Sequence, residues 1–163
     1  MKLAHRRTLA VVIVAVVAID WITKAWVQQR LPLRVPHTLV DGWVSLLHTI
    51  NYGISWGKLS GTDTAWRFPL IVVLTLAAIA ATVSMMRASR DPWLRLAGAL
   101  VLGGAIGNFG DRLLNGGVTD YIYVHFFPFV FNFADVAITC GGVLLAVRML
   151  VEERRERTAA PTA

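Results

Sequence analysis

The chain has 163 residues, of which 56% are hydrophobic and only 16% charged, with a mean hydropathy of +0.58. A soluble domain carries nearer a quarter charged residues, so this composition leaves too little polar surface for a water-exposed globule and points to a single membrane-embedded domain over 1–163. The net charge of +6 does not indicate nucleic acid, because the basic residues cluster at the termini and in one short connection, with no basic face interleaved with aromatics.

About twenty apolar residues cross a bilayer as a helix, and four stretches qualify. The first, 8–27, follows Lys2, Arg6 and Arg7. A basic start before an apolar run suggests a cleavable leader. However, the run passes into Asp20-Trp21-Ile22-Thr23-Lys24 with no small-x-small site, so it reads as a retained membrane helix. Asp20 and Lys24 are four apart with the acid first, the favourable order for a helical pair, and a structural salt bridge is their expected role.

Residues 28–67 carry strand-like pieces at 38–40 and 43–50 around an Asp41-Gly42 turn signal. They predict a small β-rich platform between the first two helices, followed by a short amphipathic helix near 63–67. Gly53-Ile54-Ser55-Trp56-Gly57 matches the Gly-x-Ser-x-Gly nucleophile elbow. That motif works only on a strand–turn–helix of an α/β sheet, and neither such a sheet nor a Ser–His–acid order is present here.

The second stretch is 68–86 and the third 94–114. The third is rich in glycine: Gly98, Gly103, Gly104, Gly107 and Gly110. Glycine costs a helix roughly 1 kcal/mol against alanine, and in a membrane it lets another helix, or a substrate, approach closely. Asn108 and Arg112 share a face, and Asp111 is expected to be exposed or headgroup-facing. The connection 115–130 holds Tyr121, Tyr123, Phe126, Phe127 and Phe129, rings that suit the headgroup level.

The fourth stretch is 131–150, where Asn132 and Asp135 are three apart on one face. Cys140, the one cysteine, rules out an intrachain disulfide and reads as a small buried residue. Residues 152–163 read as a solvated tail. The four histidines have no metal-ligand spacing, and His-Glu-x-x-His is absent.

Orientation follows from the cations. Lys2, Arg6, Arg7, Arg87, Arg90, Arg95, Arg148, Arg154, Arg155 and Arg157 fall at span ends sharing one side. Lys24, Arg30, Arg34, Lys58, Arg67 and Arg112 are spread over the longer connections of the other. The first side is expected to be cytoplasmic and to hold both termini. The fold class predicted is thus membrane all-α, four transmembrane helices with an extracytoplasmic β-rich platform.

An aspartate at a membrane helix centre costs about 2.5–3.5 kcal/mol on insertion scales. Yet Asp20, Lys24, Asn108, Asp111, Arg112, Asn132 and Asp135 lie within or at the ends of spans, at one depth, with Asp120 close by. So many polar groups at one level imply a shared pocket. Two carboxylates sharing one proton can hydrolyse a peptide, and Asp120 and Asp135, flanking the aromatic connection, are the best candidates. On these residues alone, a small proton- or ion-coupled transporter subunit with Asp20, Asp120 and Asp135 as relay carboxylates fits equally well. A non-catalytic assembly factor would tolerate Asp120→Asn and Asp135→Asn. A presenilin-type protease wants Gly-x-Gly-Asp, and Asn108-Phe109-Gly110-Asp111 fails that match.

Five ordered blocks settle the choice by resemblance. Asp20-Trp21-Ile22-Thr23-Lys24 is similar to the Asp-x-x-Thr-Lys signature of lipoprotein signal peptidases (signal peptidase II). Asn51-Tyr52-Gly53-Ile54-Ser55-Trp56-Gly57 and the stretch from Gly103 to Leu113 resemble two further blocks of that family. Gly117-Val118-Thr119-Asp120-Tyr121-Ile122 and Phe131-Asn132-Phe133-Ala134-Asp135 resemble the blocks that hold its two catalytic aspartates. The resemblance implies an aspartic endopeptidase with Asp120 and Asp135 as catalytic residues. It implies that Asp20, Lys24, Asn51, Gly53, Gly104, Asn108, Arg112, Asn132 and Ala134 line or support the site. It further implies no metal or organic cofactor, and a bacterial prolipoprotein carrying a diacylglyceryl-modified cysteine as substrate. The expected setting is the cytoplasmic (inner) membrane, in contact with its lipids, with the site near the outer leaflet. One chain supplies a complete site, so a monomer is expected.

Overall fold

Backbone polar groups find no partner in lipid, so apolar runs must pair their own N–H and C=O groups as helices. The computed structural model describes residues 3–53 and 66–159 and contains four helices: α1 (Leu3–Arg30), α2 (Arg67–Ala88), α3 (Pro92–Asn115) and α4 (Phe133–Ala159). Three stretches, Arg7–Arg30, Phe68–Ala88 and Phe133–Arg154, are long and apolar enough to cross a membrane. At 24 residues, α3 is long enough too. Its glycines and its polar end dilute the apolar residues, and it packs against all three other helices.

The ends of α3 are set by local chemistry. Asp91 caps its start by accepting from Trp93 N–H at 2.8 Å, and Pro92 follows, where its missing N–H costs nothing. Its last turn closes on Gly116, whose φ of 71° and N–H bond to the Arg112 carbonyl form a left-handed cap. Arg148 of α4 also reaches Asp91, with Nε 2.8 Å from Oδ2, tying α4 to the α2–α3 turn.

Glycine brings α3 close to its neighbours. A Cβ on Gly103 would meet the Val16 side chain of α1 at 2.8 Å, and one on Gly107 would meet the Asp20 carboxylate at 2.6 Å. One on Gly104 would collide with the Ala134 carbonyl of α4. Of the two uses expected for this glycine row, helix packing is the one these contacts fill. Gly104→Ala is therefore expected to destabilise the bundle by about 1–3 kcal/mol, since backbone rather than a flexible side chain must move. Thermal unfolding in detergent measures this, and an unchanged midpoint would contradict the contact.

The sheet differs from expectation. It has four antiparallel strands in the order β1 (Pro36–Val40), β2 (Val44–Asn51), β3 (Val118–Val124) and β4 (Val130–Phe131). The platform is thus not confined to the connection between α1 and α2. The aromatic connection after α3 supplies half of its strands. The register sets Thr49 opposite Asp120 and Asn51 opposite Val118. Side chains lock the sheet onto α1: Gln28 Nε2 donates to Thr119 Oγ1 at 2.7 Å, and Tyr121 OH donates to Thr23 Oγ1 at 2.8 Å.

Three smaller expectations change. The fourth span starts as a helix at Phe133 rather than 131, because Phe131 belongs to β4. The tail expected from 152 onward is helical to Ala159 and is exposed over 152–154. Asp111 is buried, not exposed. Cys140 is exposed, not buried. The proposed short helix near 63–67 falls mostly outside the described residues, and Arg67 opens α2.

Candidate active site

The polar residues of three helices meet at the end of the bundle that carries the sheet. Near the end of α1, Asp20 and Lys24 form an ion pair at 2.8 Å with both side chains buried. Lys24 also donates to Asn108 Oδ1 of α3 at 2.8 Å and lies 3.5 Å from Asp111 Oδ2. Asn108 passes the link on, its Nδ2 donating to Asp135 Oδ1 at 2.8 Å.

The start of α4 is built around the same groups. Asn132 is its N-cap: Oδ1 accepts from Asp135 N–H at 3.0 Å, while Asp135 Oδ2 accepts from Asn132 N–H at 3.1 Å. This reciprocal pair is a capping box with aspartate at the third helical position. Asp20 Oδ1 accepts from Ala134 N–H at 3.0 Å, satisfying another free donor of the helix end. The Ala134 carbonyl faces Gly104 and leaves no room for a side chain there.

Asp120 enters from β3. Its Oδ1 accepts from Asn132 Nδ2 at 2.7 Å, and its Oδ2 accepts from Asn51 Nδ2 at 2.9 Å. Asn51 is itself oriented, because its Oδ1 accepts from Gly53 N–H at 2.9 Å. Gly53 adopts φ +87°, a conformation open to glycine at little cost. Asn132 therefore holds both Asp120 and Asp135, and its Nδ2 also donates to Asn108 Oδ1 at 3.0 Å.

The two carboxyls sit in different surroundings. Asp120 is 3% exposed, and burial pushes its carboxyl up to about 6. The negative charge of Asp135 adds to that rise, and the Asn51 and Asn132 hydrogen bonds oppose it. Asp135 is half-buried and sits at a helix N-terminus, where the backbone dipole favours an anion. It also lines a groove of about 470 Å³ whose other walls include Val124, Phe126, Phe127, Phe131, Thr139 and Cys140. Among the described residues, Asp135 is the one charged residue on that groove.

Arg112 donates from Nη1 to the Asn108 carbonyl at 3.4 Å, and its buried Nε has no partner among the described residues. The charges of Asp135, Asp120 and Asp111 all act on its guanidinium. All the site residues expected from sequence thus gather at this end of the bundle. Three further supports were missed. Asp111 Oδ2 accepts from Thr119 N–H at 2.6 Å, Asp111 Oδ1 from Asn115 Nδ2 at 2.6 Å, and Tyr121 reaches Thr23. The threonine of the Asp-x-x-Thr-Lys block was the available signal for the last. No group of three or more potential metal ligands occurs among the described residues.

The family profile described as Signal peptidase (SPase) II matches residues 12–151. The chain is 36% identical over 141 residues to a lipoprotein signal peptidase of Syntrophomonas wolfei, covering 86% of this chain and 91% of that protein. It is 37% identical over 155 residues to one of Pseudomonas syringae pv. tomato, covering 89% and 87%. Among solved structures, a bacterial membrane enzyme determined by the in meso method at 2.3 Å superposes with a TM-score of 0.79 and 25% identity, over 96% of this chain and 94% of that one. A second, at 1.9 Å, gives 0.78 and 28%, over 88% and 92%. With the profile and the relatives both spanning most of its length, this chain belongs to the signal peptidase II family.

Proposed function

We propose that this protein removes the signal peptide from lipid-modified prolipoproteins, cutting before the modified cysteine, and that Asp120 and Asp135 are its catalytic pair. The observation that carries the reading is Asn132, one buried amide that holds one oxygen of Asp120 while capping the helix that presents Asp135. Two carboxyls so joined form a unit that holds one proton between them.

The geometry divides the labour. Asp135, on the groove and at a helix N-terminus, is the ionised member and takes a proton from water as that water attacks the scissile carbonyl. Asp120, buried behind it, is the protonated member and donates to the carbonyl oxygen. When the tetrahedral intermediate collapses, one of its hydroxyls returns its proton to Asp120 as the carbonyl re-forms, the C–N bond breaks and the proton held by Asp135 passes to the leaving amine. Arg112, with donors to spare, and Asn108 orient the substrate backbone. Lys24 and Asp20 act behind them, Lys24 through Asn108 and Asp20 through the first turn of α4.

The pH dependence follows with its sign. Asp120 holds its proton below about 6, so the acid is present below that pH and lost above it. In the free enzyme, kcat/KM is expected to fall as pH rises through about 6. The Asn51 hydrogen bond favours the ionised form of Asp120. Asn51→Ala should therefore move this alkaline limb to higher pH, and a limb moved to lower pH would reverse the assignment.

The fold suits four membrane-crossing helices, with α3 shielded by the other three and the sheet on the extracytoplasmic surface. In this arrangement both termini are cytoplasmic, the membrane is the bacterial inner membrane, and a monomer is sufficient. The direct test incubates purified protein in detergent with a diacylglyceryl-modified prolipoprotein and follows the released peptide by mass. Cleavage at the bond before the modified cysteine is expected. Cleavage elsewhere, or equal cleavage of the unmodified precursor, would remove the substrate assignment.

A further inference from the structure

β3 carries Asp120 beside a break in the sheet. Leu46 stands opposite Ile122 and Thr49 opposite Asp120, so Leu47 and His48 of β2 share the single position of Tyr121. That two-against-one count is a β-bulge, which interrupts the ladder locally. The bulged segment is anchored away from β3. His48 Nδ1 donates to the Leu31 carbonyl at 2.9 Å, and the His48 carbonyl accepts from Arg34 N–H at 2.8 Å. Regular pairing with β2 therefore supports Asp120 from its Thr119 side and fails at Tyr121.

Where the ladder fails, α1 takes its place. Side chains alternate along a strand, so while Asp120 turns to Asn51 and Asn132, both of its neighbours turn to α1. Tyr121 OH donates to Thr23 Oγ1 at 2.8 Å, and Thr119 Oγ1 accepts from Gln28 Nε2 at 2.7 Å. The spacings agree. Two strand residues span about 6.7 Å, and Thr23 and Gln28, five apart on a helix, span about 7.5 Å. Two hydroxyls thus pin the strand to α1 on either side of Asp120, and both residues are buried. Lys24 lies between the two pins on α1 and reaches Asp135 through Asn108. One stretch of α1, 23–28, is therefore a common frame for both carboxyls.

We propose that Thr119 and Tyr121 are positioning residues for the cleavage reaction: pinned to α1 at Gln28 and Thr23, they aim the Asp120 carboxyl at Asp135 where the bulge leaves the strand without a ladder. This rests on the reading of Asp120 and Asp135 as the catalytic pair and deepens it. Neither hydroxyl bonds to a carboxyl of the pair. Both act through the backbone of β3.

Tyr121→Phe and Thr119→Val each remove one hydroxyl and keep the side-chain volume. Neither strands its partner. Thr23 Oγ1 keeps the Ile19 and Asp20 carbonyls at 2.8 and 2.9 Å, and Gln28 is exposed. The double variant, full length in detergent with a lipid-modified prolipoprotein, is expected to fold and to lose about 10–10²-fold in kcat with KM unchanged, as when a reacting group is slightly misplaced. Thr119→Ser, which keeps the hydroxyl, is expected to keep kcat. A loss there too would assign the effect to packing and overturn that pin. The pH profile separates aim from folding. The charged groups facing the Asp120 carboxyl are Asp135 of α4, Lys24 of α1 and Arg112 of α3, beside the amides of Asn51 and Asn132. Burial is the largest influence and raises the carboxyl. A released strand relaxes all of these influences together, so the carboxyl returns towards its ordinary range. The alkaline limb of kcat/KM in the double variant should then move to lower pH, opposite to the shift expected for Asn51→Ala. Wild-type kcat, or a limb that stays at about 6, would overturn the proposal. A lower unfolding midpoint with kcat unchanged would make the two hydroxyls supports of the fold alone. Asp120→Asn measured alongside separates the two failures. If it cleaves fully, the catalytic reading falls and the proposal with it. If it is inactive while the double variant is fully active, only the positioning role falls.

Discussion

Asp120→Asn and Asp135→Asn are each expected to lower kcat/KM by about 10⁴-fold, the loss seen when an essential proton-transfer group is disabled. Neither change should unfold the protein. At 135 the amide keeps a carbonyl oxygen that can still accept from Asn132 N–H, so the capping box of α4 survives. At 120 the amide keeps the volume but turns one acceptor into a donor. One of the bonds from Asn51 and Asn132 is then lost. Against that loss stands a gain, because burial disfavours the Asp120 anion and a neutral amide does not carry that penalty at neutral pH. Cleavage of a lipid-modified prolipoprotein and thermal unfolding, measured on the same preparations, test both halves. A fully active variant at either position would remove that residue from the catalytic pair. A variant that loses activity only because it unfolds would leave the role open to Asp111, the buried acid of α3.

The site is more legible in the sequence than the scaffold is. Polar residues inside apolar runs stand out because lipid makes them costly, so the amino-acid order alone singles out Asp20, Lys24, Asn108, Arg112, Asn132 and Asp135. The four helices are readable for the same reason. The second pair of strands is not. Val118 to Val124 carries no clean alternation, since its first four residues are all buried against the helices and β2, and its pairing with β2 joins segments on opposite sides of two helices. Cys140 departs from expectation because a membrane removes the contrast that sequence patterns depend on. A residue facing lipid and one facing protein are both apolar, and the best window of α2 has none of its residues buried. Asp111 departs for the opposite reason. An acid at a helix end has headgroups and water within reach, and only the fold reveals that Thr119 N–H and Asn115 hold it inside.

Asn132 offers the second large effect, since its side chain does two jobs that different substitutions separate. It is fully buried. Its Oδ1 caps α4, while its Nδ2 holds Asp120 at 2.7 Å and Asn108 at 3.0 Å. Asn132→Ala removes both functions. The lost cap costs about 0.5–2 kcal/mol, and the Asp120 oxygen and the Asn108 amide each lose a partner in a buried place. With the two carboxyls no longer held to one another, kcat is expected to fall by about 10²–10³-fold, as when a single positioned donor is removed from an active site. Asn132→Ser returns an oxygen that can cap the helix but cannot reach both neighbours. Its unfolding midpoint should recover most of the way to wild type while kcat stays low. Asn132→Asp also keeps the cap, yet it sets a third carboxylate beside Asp120 and should be at least as impaired as alanine. If the serine variant recovered kcat together with stability, Asn132 would be a helix cap alone, and the coupling of Asp120 to Asp135 would have to run through Asn108.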